Sequence, residues 1–162
     1  MEMRTDEKWW VTLSKKDLLE LAFILSKRAL VLWDNYNFPE GSEERLNLIK
    51  PLPGNALLEI ARGIDKNEFN KDNINKFFTL FVTPILQIRD GNLKLPYVVK
   101  SAFQSVFDIL RGIMITKNKA QYLQFFSSSI TRSLDAIKIS NLLSNDEIEM
   151  LTRKYLLLSD RK

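Results

Sequence analysis

The side chains that most often do chemistry are scarce in this chain. Histidine and cysteine are both absent, so it can build no imidazole base, Ser–His pair, thiolate nucleophile, disulfide, or His- or Cys-bound metal. Carboxylates remain, and a site made of them would suit hard ions such as Mg²⁺ or Ca²⁺. They cluster twice: Glu40, Glu43 and Glu44 before a short turn, and Asp146, Glu147 and Glu149 at the start of the last helical pattern. Acids in such places complement the positive end of a helix dipole. A carboxylate metal centre in a bundle needs inward acids from several helices, and the apolar stripes described below carry none. The glycines, at 41, 54, 63, 91 and 112, form neither a phosphate loop nor a dinucleotide fingerprint. No catalytic residue, metal or cofactor is assigned, and the chain reads as a protein that is not an enzyme. A carboxylate-and-Mg²⁺ enzyme ranks third among the readings.

Two other groups of residues could serve binding. Ser127, Ser128 and Ser129, with Thr131 and Ser133, make one side of a helix small and polar. No base is near them in sequence and no Gly-x-Ser-x-Gly elbow is present. A face packed closely on a neighbour, or simply wet, is the expected reading, ahead of a phosphate or partner site. Large aromatics stand at the edges of the first helix, Trp9 and Trp10 ahead of it and Trp33, Tyr36 and Phe38 at its far end. Edge aromatics are favoured anchors of protein contacts. Packing is expected for Trp10 and Trp33, whereas Trp9 and Phe38 are candidate contact residues.

Charge adds a mild bias. The formal net charge is +4, and its excess lies in residues 91–162, with eleven basic and six acidic side chains. No Lys/Arg run exceeds two residues, which falls short of a nucleic-acid footprint. The best local mixture of cations and aromatics is Lys117, Lys119, Tyr122 and Phe125.

These residues are positioned by helices. Ser14 and Asp17 make an approximate capping box, with Leu13 and Leu18 as a staple. Leu18, Ala22, Leu25, Ala29, Leu32 and Tyr36 then recur at helical spacing to an end near Asn35. A short turn is expected over Glu43 to Ile49. Asn55 is expected to cap a helix with the stripe Leu57, Leu58, Ala61 and Ile64, and Asp72 to cap the next. That next helix, apolar nearly all round from Ile74 to Ile88, reads as the central one, kinked or broken by Pro84. Pro96 is expected at N1 of a helix with Val99, Ala102, Phe103, Val106, Leu110 and Ile113 inward. A helix over Lys119 to Ile139 and a last one from the Ser144–Glu147 capping box to about Leu158 complete the pattern. The expectation is an all-α fold, one domain over 1–162, with a peripheral segment 1–13 and a bundle of five to six helices over 14–158. No signal peptide or membrane-spanning stretch is read, so the expected location is cytoplasmic.

One resemblance follows from these elements. Leu19-Glu20-Leu21-Ala22-Phe23, Lys27-Arg28-Ala29-Leu30 and Trp33 to Tyr36 lead into the turn at Pro39. A helix carrying Asn55-Ala56-Leu57-Leu58-Glu59-Ile60-Ala61-Arg62-Gly63 follows. Together they resemble the opening of small helical immunity proteins of bacterial polymorphic-toxin systems, and the helix order through about Ile139 fits. That family's later helices are Ala-rich and often carry His; here they hold Phe, Ile and Leu, with no His. The resemblance implies a protein that neutralises a toxin domain by binding it, with no catalytic residues to carry over. On that reading the contact residues are Trp9, Phe38, Glu40, Glu43, Glu44, Asp146, Glu147 and Glu149. The alternative is a small subunit of a nucleic-acid-binding complex of the RNA-guided defence type, using the basic C-terminal part. Apolar stripes on two sides of the middle helices also allow a homodimer.

Overall fold

The computed structural model describes residues 8–38, 47–115 and 118–160. Glu40, Glu43, Glu44 and Lys117 lie outside these residues. Within them the chain is all-α, with no strand. A 3₁₀ turn, Trp9–Thr12, precedes α1 (Lys15–Ala29), α2 (Val31–Asp34), α3 (Leu52–Lys66), α4 (Lys71–Arg89), α5 (Tyr97–Met114), α6 (Lys119–Ile139) and α7 (Asn145–Asp160). Residues 47–49 are also helical. None of these helices is long and apolar enough to cross a membrane.

Local signals explain most boundaries. Ser14 Oγ accepts the Asp17 N–H, and Ser144 and Glu147 exchange two bonds of 3.2 Å each, a complete capping box. At the other end of α3, Asn67 adopts the left-handed region (φ 55°), and Glu68 N–H reaches back to Gly63 O. Asn141 ends α6 in the same way, with Leu142 N–H donating to Ile137 O.

Several expectations are corrected. The first helical stretch ends at Asn35 as expected, but it is divided at Leu30 into α1 and α2. Asn55 is not a cap. α3 begins at Leu52, with Pro53 in its first turn, where a missing N–H costs nothing, and Asn55 N–H already bonds Pro51 O. Asn70, rather than Asp72, caps α4 through the Asn73 N–H. Pro96 is the N-cap of α5 instead of its first residue. α4 continues through Pro84 to Arg89 without a break.

The larger correction concerns the centre. Twelve of the eighteen residues of α5 are buried, against four of nineteen in α4. α5 is the central helix, and α1, α2, α3, α4 and α6 all pack against it. All six of its expected inward residues are buried. Stacked and tilted rings run from α2 through α5 to α4: Trp33 on Phe103 (4.4 Å), Phe103 against Phe81 (4.7 Å), Phe81 on Phe107 (5.8 Å) and Phe107 on Phe78 (5.3 Å). Such offset pairs add to the burial of large apolar rings.

The small polar face of α6 is a packing face. Ser129 is fully buried; its Oγ donates to Ser105 O and lies 3.1 Å from Ser26 Oγ, joining α6 to α5 and α1. Ser133 turns its hydroxyl onto its own helix. Small residues bring the backbones close, and each buried hydroxyl named here finds an acceptor, which offsets its desolvation.

The N-terminal turn is not peripheral. Trp9 and Trp10 are both buried, Trp10 Nε1 donates to Ser127 Oγ (2.9 Å), and Ser159 Oγ of α7 donates to Trp9 O (2.8 Å). The turn is a clasp between α6 and the C-terminal end of α7.

Candidate protein-contact surface

α3 and α4 lie side by side as the outer pair of the bundle. The inward face of α3 is Ala56, Leu57, Ile60 and Gly63. Leu58, placed by its spacing on the inner stripe, instead points outward on the face it shares with Arg62. On α4, Ile74, Phe81 and Ile88 recur every seven residues and are buried. That leaves Phe77 and Leu80 on the flank turned toward α3. Between the two helices lies a groove of about 420 Å³, which Leu48 also lines. Leu48 is 79% exposed, Leu58 60% and Leu80 50%. Three large apolar side chains of this chain are thus left exposed around one concavity.

Polar groups frame the groove. Glu59 is buried in its floor, where Oε1 accepts from Arg62 Nη1 (3.4 Å) and from Asn73 Nδ2 (3.2 Å), tying α3 to α4. The Arg62 side chain remains 67% exposed, and Lys76 is exposed on the opposite bank.

The residues expected from the sequence do not converge. Trp9 is buried in the clasp and offers no surface, a correction to its candidate role. Phe38 is half-buried, edge-on to Trp33 and Tyr36, with Lys50 Nζ 4.9 Å from its ring centre. The Lys50 ammonium also bonds the carbonyls of Trp33 and Tyr36, so the Phe38 corner serves to cap α2. Burial lowers the Lys50 pKa, against the attraction of Asp34. Asp146 and Glu147 are exposed at the start of α7, where Glu147 completes the capping box. Glu149 is half-buried. By helix rise these acids stand about 20 Å from the Trp9 end of α7. A second cavity, of about 430 Å³, is lined by one of these acids, Glu147, together with Arg28, Met150 and two leucines.

Sequence reasoning also missed a buried acid. The core stripes were expected to hold none, yet Asp108 on α5 is 1% exposed. Arg111 Nη2 donates to its Oδ1 (2.7 Å), and Arg132 Nε from α6 lies 3.0 Å from Oδ2. Burial raises the Asp108 pKa, while Arg132 and then Arg111 pull it back. The Asp108 carboxyl, hydrogen-bonded by Arg111 and facing Arg132 across the helix contact, joins α5 to α6. The signal was present as the i,i+3 pair Asp108–Arg111; the partner twenty-four positions along was not.

The aromatics near the basic C-terminal part are covered by this chain's own cations. Lys15 Nζ lies 4.8 Å from the Tyr122 ring centre, and Arg111 lies 4.2 Å from that of Phe125. Burial, then Lys71, lowers the Lys15 pKa. Lys119 is exposed at the start of α6. Among the described residues, no group of three or more His, Cys, Asp or Glu side chains converges as a metal site requires.

The fold and this surface define an all-helical bundle with an outer two-helix groove. Comparison with protein-family models, with curated proteins and with solved structures gave no match.

Proposed function

We propose that this chain is a non-enzymatic protein-binding module, and that its specific form is an inhibitor that neutralises a toxin domain by covering it. The observation that carries the reading is the α3–α4 groove, with Leu48, Leu58 and Leu80 open around about 420 Å³. Leaving three leucines in water forgoes burial energy that folding could have used. A second protein recovers it on binding. Obstruction needs no chemistry: a rigid bundle with a few apolar anchors and complementary charge is sufficient. The nucleic-acid alternative draws less support, since Tyr122 and Phe125 are already occupied as stacking platforms.

The test compares the tagged full chain with its Leu58→Asp/Leu80→Asp variant in pull-downs from native cells, at low and high salt, with and without nuclease. Circular dichroism establishes that the variant is folded. One protein retained by the wild type through nuclease and salt, lost by the variant, and inhibited in its own activity by added wild-type chain is the expected result. Recovery of nucleic acid, or a complex lost to nuclease or salt, would overturn the reading in favour of a nucleoprotein subunit.

A further inference from the structure

We infer that the α3–α4 groove takes an amphipathic α-helix whose apolar side chains are flanked by carboxylates; this rests on the protein-binding reading above. The groove runs between two helices, and its apolar positions sit on both banks, Leu58 on α3 and Phe77 with Leu80 on α4. A helix laid along such a channel offers side chains at i, i+3 or i+4, and i+7, all on one face. Strand addition has no template, because the described residues contain no sheet edge.

Charge selects among helices. Among the described residues, three charged ones line the groove, Glu59, Arg62 and Lys76. Glu59 is buried and its Oε1 is engaged by Arg62 and Asn73, whereas Lys76 stands exposed on the far bank and Arg62 is largely open. The described lining therefore presents one net positive charge, its carboxylate buried and its cations exposed. A helix with Asp or Glu beside its leucines meets Lys76 and the outer edge of Arg62 while its apolar face covers the floor. A Lys-flanked helix meets like charge at the same points, which disfavours it. Phosphate groups would find leucine where they need donors.

The probe is a fluorescent, stapled helical peptide of about 15 residues, since an unstapled helix of that length is marginal in water. It carries leucines at i, i+4 and i+7 with glutamates beside them; one control has lysines in place of the glutamates, another has alanines in place of the leucines. Anisotropy with the full chain at low salt is expected to favour the glutamate peptide over the lysine peptide about three- to tenfold, in line with a few exposed charge pairs. The Lys76→Glu substitution, at an exposed position, is expected to remove or invert that preference. Leu58→Asp is expected to abolish binding of either peptide. Amide shifts in an NMR titration should map to α3 and α4. Equal affinity for the two charged peptides, no binding of either at millimolar concentration, or shifts mapping elsewhere overturns the inference. So does sedimentation showing that the wild type self-associates through this face and Leu58→Asp does not. A natural partner lost with Leu58→Asp but indifferent to Lys76→Glu would leave the protein-binding reading intact and remove this one.

Discussion

Gly112 and Gly54 receive the same substitution with opposite expected signs. Gly112 lies near the C-terminal end of α5, where α6 crosses closely. A methyl built there would press into the edge of the Phe126 ring at Cε1 and stand 2.7 Å from Cδ1, well inside ordinary van der Waals contact. Phe126 is fully buried, so the ring can retreat only by pushing its own neighbours. Forcing a methyl into a packed core costs about 1–3 kcal/mol. Alanine regains up to about 1 kcal/mol over glycine in a helix, less near an end. The net expectation for Gly112→Ala is a loss of about 1 kcal/mol.

Gly54, in the first turn of α3, has nothing within 4 Å of the same methyl. Gly54→Ala should gain about 0.5 kcal/mol through the unfolded state. Urea unfolding followed by circular dichroism should separate the two variants by about 1.5 kcal/mol, or about 3–6 °C in Tm for a chain of this size. Phe126→Leu should cost less in the Gly112→Ala background than in the wild type, a coupling that a double-mutant cycle reads directly. A Gly112→Ala protein as stable as the wild type, or more so, would refute the close α5–α6 approach and the packing argument built on it.

Two further substitutions test buried polar contacts. Burial raises the Asp108 pKa above its ordinary 3.8, so the folded chain holds this proton more tightly than the unfolded chain does. Its stabilising contribution is full below about pH 3.8 and declines as pH rises through the raised value. Relative to Asp108→Asn, the wild type should therefore lose advantage as pH rises above the ordinary 3.8 in urea titrations; an advantage growing with pH contradicts the sign. Trp10→Phe removes the Nε1 donor from Ser127 and leaves part of the indole's volume empty, for an expected loss of about 2 kcal/mol in urea unfolding. A neutral result would mean that the N-terminal turn frays and clasps nothing.

What was legible in the sequence was local. The Ser14 cap, the Ser144–Glu147 box and the bounds of the Lys119–Ile139 helix each depend on residues within a turn or two of one another, and the structure places them where the spacing did. The α4 cap was missed because Asn70 and Asp72 are both good capping types, and which one receives an amide depends on backbone geometry. The rank of the helices was misread for a deeper reason. A helix apolar on several sides needs partners, but its sequence does not say whether they belong to the same chain. α5 finds partners inside the bundle on nearly every side; α4 does so on one side and leaves Leu80 and Leu86 exposed.

The same distinction explains why the α3–α4 groove does not stand out in the sequence. Charged clusters draw attention in a sequence, yet those described here have internal work: Glu147 caps a helix, Glu59 and Asp108 bind arginines, and Lys50 closes the end of α2. The informative residues are the apolar ones left over once the inward stripes are assigned. Leu58 next to the buried Leu57, and Leu80 next to the buried Phe81, are unremarkable in sequence because each sits one position from a core residue. A helix turns 100° per residue, so that single position separates burial from exposure. Where two such remainders from adjacent helices face one groove, folding has left apolar area uncovered, and the proposed binding role rests on that uncovered area.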